Sequence, residues 1–147
     1  MEIITKNRKA SHEFTFLSKF TAGVQLTGTE IKSIRAKDVN LNDAFCSFTN
    51  NELFIRNMHI GIYGHGTVWN HEPKAERKLL LNGSELKKLQ NKLKDQGLTI
   101  VPTRMFISDN GFAKIDIALA KGKKLFDKRD DLKKKDQNRD MDRLGKA

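Results

Sequence analysis

The chain is poor in the residues that staple or stiffen a small fold: its 147 residues include one cysteine, two prolines, one tryptophan and one tyrosine. The lone Cys46 excludes an intrachain disulfide framework, and its place in an apolar, alternating run predicts a buried, inert thiol. No apolar run approaches the ~20 residues that a membrane span needs. The N-terminal MEIITKNRKASHEF has no long apolar stretch behind its charges. The expectation is a protein neither exported nor embedded in a membrane, with the cytoplasm as its compartment. Acid is also scarce, with 18 Asp and Glu against 28 Lys and Arg and a net charge of +10. That imbalance suits a polyanionic partner, because cations that neutralise phosphates release condensed counterions.

The excess is uneven. From Lys121 to Ala147, eleven Lys and Arg face six Asp, and only Leu125, Phe126, Leu132, Met141 and Leu144 are large and apolar. Burial alone cannot offset the ordering entropy of such a segment. The chain therefore divides into one folded body over residues 1–120, an ordinary size for a single core, and a basic tail over 121–147 that is disordered on its own.

Signatures of catalysis are missing. His59, His65 and His71 recur at intervals of six, which matches no compact metal-ligand motif, so ordinary surface or hydrogen-bonded histidines are expected and no metal site. Gly61, Gly64 and Gly66 are not followed by Gly-Lys-Ser or Gly-Lys-Thr, and no Gly-x-Ser-x-Gly elbow occurs. Asp130 and Asp131 are adjacent and point apart on any regular element. The expectation is a binding protein without cofactor, not an enzyme.

The hydrophobic pattern is mainly that of strands. Phe14–Phe20 and Val24–Leu26 read as two short strands with a turn or bulge at Ala22-Gly23. Thr29 is a candidate cap for a short amphipathic helix carrying Glu30 in its first turn and Ile31 and Ile34 on one face. Strands at about 44–49 and 52–57 flank Asn50-Asn51, a pair that tolerates the positive φ of a tight hairpin. A Gly-, His- and Asn-rich loop follows, closed by Pro73 before the run Lys78–Leu81. Ser84 opens a second helix with a Leu86, Leu89, Leu93 stripe, and Gly97 supplies its left-handed end. Leu98–Ile107 and Phe112–Leu119 are strands joined through Asn110-Gly111. This order predicts an antiparallel sheet or small barrel decorated by helices.

Around that body, Lys6, Asn7, Arg8, Lys9 and His12, the helix cations Lys32 and Arg35, the pair Arg77-Lys78, and Lys114 mix charge with amide and imidazole groups suited to phosphates, riboses and base edges. A generic single-strand or ribosomal RNA-binding barrel satisfies these residues. A metal-dependent nuclease built on the loop histidines is the remaining alternative.

Seven stretches occur in order: NRKASH (7–12), AGVQLTGTEIKSIRA (22–36), NMHI (57–60), NHEP (70–73), RKLLLN (77–82), GLTIVP (97–102) and AKGKKLFDKR (120–129). Together they resemble the SsrA-binding protein family, SmpB, of bacterial trans-translation, over almost the whole chain. The resemblance implies a six-stranded antiparallel barrel of OB-like character with about three helices and no catalysis. It also implies a monomeric partner of the tRNA-like part of transfer-messenger RNA, escorted with elongation factor Tu to ribosomes stalled on messages lacking a stop codon. There the tail enters the vacant mRNA channel of the small subunit.

Carried over position by position, the family's RNA-elbow surface falls on Asn7, Lys9, His12, Glu30, Leu80, Asn82 and Lys114. Its tail signature falls on Gly122, Lys123, Lys124, Asp127, Lys128 and Arg129, with Leu144 as an apolar contact in the tail's later accommodation. Phe126 stands where relatives commonly have His or Tyr, keeping an aromatic face for stacking but not the polar contact. Gly61-Ile62 replaces a frequent Ser-Pro, and Ala75 falls where another cation is common.

Overall fold

A computed structural model describes residues 1–64, 70–95 and 97–123. Nine strands and three helices lie within them: β1 (Glu2–Lys6), α1 (Arg8–Glu13), β2 (Phe14–Val24), α2 (Gly28–Arg35), β3 (Val39–Asn40), β4 (Phe45–Thr49), β5 (Glu52–Arg56), β6 (His59–Ile60), β7 (Arg77–Leu80), α3 (Gly83–Lys92), β8 (Leu98–Ile107) and β9 (Ala113–Gly122).

Six strands close on themselves in the order β8-β4-β5-β7-β2-β9, because β8 and β9 also pair. All pairings in this ring are antiparallel. The edge of β8 away from β9 is shared: β4 meets it at Cys46↔Ile100, and β1 covers its other half from Arg104 to Ile107. β3 and β6 form a separate two-stranded ribbon. The mainly β architecture, with a closed six-stranded antiparallel ring and three helices, is the one expected.

Alternation sorts the side chains. On β2 and β9 the inward set Ala22, Ile115 and Ile117 joins Leu53, Ile55, Leu79, Ile100 and Met105 in the interior, all at most 1% exposed. A smaller cluster outside the ring, Ala10, Val101 and Ala120 with Phe14 and Phe16, seats α1 on the outer face. Cys46 is buried, and desolvation pushes its thiol far above the ordinary range.

Several local expectations are corrected. Ala22-Gly23 does not break the strand: β2 is one run of 11 residues, and its irregularity falls between Phe16 and Ser18. Pairing with two neighbours at once holds Gly23 extended, opposite both Leu80 and Lys114. The cap of α2 is Thr27, not Thr29; Thr27 accepts from the Glu30 N–H while Glu30 accepts from the Thr27 N–H, a reciprocal capping box. The cap of α3 is Asn82, not Ser84, whose hydroxyl instead donates to Asn82 Oδ1. Gly97 has the expected positive φ of 81° but lies beyond the helix end at Lys92, leading into β8. Asn50 and Asn51 both have positive φ, at 51° and 66°, and turn the β4–β5 hairpin as expected.

Leu53→Ala, which empties a fully buried position, is expected to cost about 2–5 kcal/mol, read as a lower urea midpoint. Native Cys46 is expected to resist a thiol-reactive probe under conditions where the unfolded chain reacts at once; rapid native labelling would contradict its burial.

Candidate nucleic-acid interface

The most enclosed polar site holds Glu30 and Arg77, 4% and 3% exposed. Arg77 opens β7 and places its Nε against Glu30 Oε2. Its Nη1 donates to the Met58 carbonyl at 2.6 Å, and Nη2 donates to the carbonyls of Glu72 and Pro73, each at 3.1 Å. The other Glu30 oxygen accepts from the Thr27 N–H at 2.9 Å. Every arm of the guanidinium and both carboxylate oxygens are thus satisfied within the protein. This hub ties α2, the β5–β6 link at Met58 and the returning loop to β7. His71 braces the same loop, with Nδ1 2.9 Å from Thr29 Oγ1 and Nε2 3.0 Å from the Ile60 carbonyl. It is the ordinary hydrogen-bonded histidine expected of the sequence.

Beside the hub lies a cleft of ≈ 840 Å³ whose charged lining is Glu30, Glu52, Glu72 and Glu76 against Arg77 and Lys78. Lys78 already pairs with Glu52 at 3.3 Å. The carboxylate excess makes this cleft a poor phosphate seat.

The outer face of the ring is better suited. Leu80, Gly23, Lys114 and Phe106 occupy one continuous rung across β7, β2, β9 and β8. Cross-strand partners in antiparallel pairs share a face, so Leu80, 46% exposed, and Lys114 flank Gly23 on the outside. Lys78 precedes Leu80 by one pleat on the same face. Asn82, two residues after Leu80, is exposed and caps α3 with its Oδ1. Lys78, Leu80, Asn82 and Lys114 are therefore brought together.

Asn7, Lys9 and His12 are not in that group. They belong to α1 and its cap, seated near Val101 and Ala120. Ala120 lies six residues along β9 from Lys114, about 20 Å at ~3.3 Å per residue. Asn7 is buried, and its amide is fully used: Nδ2 donates to the Leu41 and Pro102 carbonyls at 3.0 and 2.9 Å, and Oδ1 accepts from the Ala10 N–H at 3.1 Å. Lys9 is exposed and bonds Asp43 at 2.8 Å, which raises the pKa of Lys9 and lowers that of Asp43. His12 is exposed.

A groove of ≈ 420 Å³ between α1 and the strands is lined by Lys6, Arg8, Lys19 and Arg104 against the single carboxylate Asp116. Lys19 sits 5.8 Å from the Phe16 ring centroid, and Arg104 lies 5.3 Å from that of Phe106. Arg104 also pairs with Asp116. Lys19 and Arg104 are absent from the residues the sequence singles out. Each is isolated in its strand, so only the pairing of Lys19 with Ala118 and of Arg104 with Asp116 places them on one outer face.

Lys32 projects from α2 with its ammonium 5.3 Å from the Tyr63 ring centroid. In the tail signature, Gly122 ends β9 and the Lys123 N–H donates to the Glu13 carbonyl at 2.9 Å, so the paired strand continues past Ala120. Lys124, Phe126, Asp127, Lys128, Arg129 and Leu144 lie outside the described residues. Among the described residues, no cluster of three or more His, Cys, Asp or Glu is placed to hold a metal, and no helix is long and apolar enough to cross a membrane.

Comparison with known proteins gives consistent matches. The family model for SmpB protein matches residues 4–147. An SsrA-binding protein of Christiangramia forsetii is 52% identical over 141 residues, covering 96% of this chain and 90% of the relative. One from Streptococcus pneumoniae is 44% identical over 146 residues, covering 99% and 94%. Among solved structures, a chain from "tmRNA-SmpB: a journey to the center of the bacterial ribosome" aligns with a TM-score of 0.70 and 40% identity, covering 82% of this chain and 85% of its own.

Arg77→Met is expected to destabilise the fold by about 3–5 kcal/mol, since it strands the buried Glu30 carboxylate. Thermal melts should show Arg77→Lys recovering little, because an ammonium cannot span Glu30 and three carbonyls in different directions. An unchanged melting temperature would remove the hub from its structural role.

Proposed function

We propose a function from a plain premise: the chain belongs to the SmpB protein family. It binds the tRNA-like domain of transfer-messenger RNA and delivers that RNA to stalled ribosomes for trans-translation. The observation that carries this reading is the family match across nearly the whole chain, supported by the outer-face group of Lys78, Leu80, Asn82 and Lys114.

Within it the residues divide their work. Lys114 meets phosphate as a charge, Leu80 contributes apolar contact, and the Asn82 amide nitrogen donates to RNA. Lys9 and His12, with the basic groove below α1, take a second stretch of backbone. Asn7, Glu30 and Arg77 act from inside, fixing the elements that carry those groups, and Lys32 contributes at the rim through α2. Residues 121–147, including Lys123, Lys124, Phe126, Asp127, Lys128, Arg129 and Leu144, engage the ribosome's small-subunit RNA in the empty mRNA channel. The concentration of cations there supports that role. The protein works as a cytoplasmic monomer without catalysis or cofactor, and elongation factor Tu joins through the RNA.

A gel-shift titration with transfer-messenger RNA against an ordinary tRNA tests the reading; equal affinity for both would replace it with a generic RNA-binding barrel. Lys114→Ala should weaken binding and reduce the slope of log K against log salt by about 1. Ending the chain after Lys123 is expected to leave RNA binding near wild type while abolishing alanine transfer on stalled ribosomes. Intact transfer would refute the role of the tail.

A further inference from the structure

Two residues beside Lys114 have no internal explanation. Gly23 is the penultimate residue of β2, still paired on both sides, where glycine weakens pairing. Its φ lies outside the left-handed region, and an added Cβ would meet Leu80 Cβ at 3.5 Å, an ordinary contact. Neither backbone nor packing calls for glycine, yet its absent side chain leaves a notch between exposed Leu80 and Lys114. Phe112 is 67% exposed, the most exposed of the large apolar side chains described. The β8–β9 turn is made by the Ser108 N–H donating to the Phe112 carbonyl at 2.9 Å and by Gly111 at φ 83°, neither of which requires an aromatic ring.

Phe112 closes that turn immediately before β9 begins at Ala113, two residues from Lys114, so its exposed ring stands at the end of the strand that carries Lys114. The Arg35 Nη2 lies 4.0 Å from where a Cβ of Gly111, the residue before Phe112, would stand. Among the described residues neither Lys114 nor Arg35 has an ion-pair partner. An exposed aromatic face, a bare stretch of backbone and two unpaired cations match the chemistry of an unstacked nucleotide, whose base needs a stacking plane and whose phosphates need charge.

We propose that Phe112 and Gly23 form a seat for one splayed-out RNA nucleotide: the base stacks on the Phe112 ring and its sugar-phosphate crosses the notch at Gly23, with phosphates between Lys114 and Arg35. This rests on the transfer-messenger RNA reading above and adds to it a single-nucleotide contact made by stacking. Lys114 and Arg35 supply only attraction, while Phe112 decides whether an unpaired base is held. A base that stays stacked in a duplex offers no face to Phe112, so the seat selects looped RNA.

The test measures affinity for the full-length chain and transfer-messenger RNA in a salt series. Phe112→Ala is expected to weaken binding about five- to hundredfold, the range for loss of one base–aromatic stack, with the salt slope unchanged because no cation is removed. Phe112→Leu should lose nearly as much, since it keeps apolar area without a π-face. Phe112→Trp in a Trp69→Phe background should retain affinity and show indole fluorescence quenched on RNA addition. Gly23→Val should weaken RNA binding at an unchanged melting temperature. Wild-type affinity in Phe112→Ala or in Gly23→Val overturns the seat while leaving selective RNA binding intact, and so does Phe112→Leu equal to wild type. A wild-type chain that does not prefer transfer-messenger RNA overturns the reading beneath it.

Discussion

The pairing of Glu30 with Arg77 is the constraint on which the surface depends. Two opposite charges, each nearly excluded from water, cost desolvation that their mutual attraction offsets only when every remaining donor and acceptor is also satisfied. Here the satisfaction is shared among four segments: the start of α2, the β5–β6 link at Met58, the loop at Glu72 and Pro73, and the first residue of β7. Fixing Arg77 fixes where β7 begins, and hence which residues of Lys78–Leu80 face out. The position of Leu80 beside Gly23 is set several residues upstream by a buried guanidinium.

That dependence changes how Glu30 is understood. An anion among cations on an RNA-facing helix invites reading as an acceptor for base amino or ribose hydroxyl groups. In the fold its oxygens are occupied by Arg77 and by the Thr27 amide, so what Glu30 does in this structure is fix the placement of α2 and β7. Asn7 follows the same pattern at the other end of the sheet, where one amide joins β8, the Leu41 segment and α1. Residues that a short motif groups together thus separate into those that touch solvent and those that hold them there.

The ring closure itself divides charge across the molecule. Carboxylates collect in the cleft beside the hub, whereas Lys6, Arg8, Lys19 and Arg104 gather under α1 on the outer face. That outer face is continuous from the α1 groove along β2 and β9 to the rung at Lys114. The two ends are about 20 Å apart by strand rise, a span suited to a folded RNA surface better than to one nucleotide.

Local signals carried much of this without coordinates. Alternation located β8 and most of β9, the Asn50-Asn51 and Asn110-Gly111 pairs placed the hairpins, and the leucine stripe located α3, because pleat, turn and helix period act between residues close in sequence. The charge excess and the ordered motifs pointed to RNA and to the family. The family resemblance supplied the ring of six strands, but periodicity and composition left undecided the particular contacts between distant segments. The Thr27 cap was an exception, a local Thr-x-x-Glu box with Glu30 that the reading of Thr29 passed over, whereas Gly23 stayed extended because β7 and β9 pair with it from both sides. Lys19 and Arg104 became neighbours only through the register of β2, β9 and β8. One-dimensional pattern sees periodicity and composition; a buried ion pair and a cross-strand rung are contacts across tens of residues, and only the closed sheet chooses them.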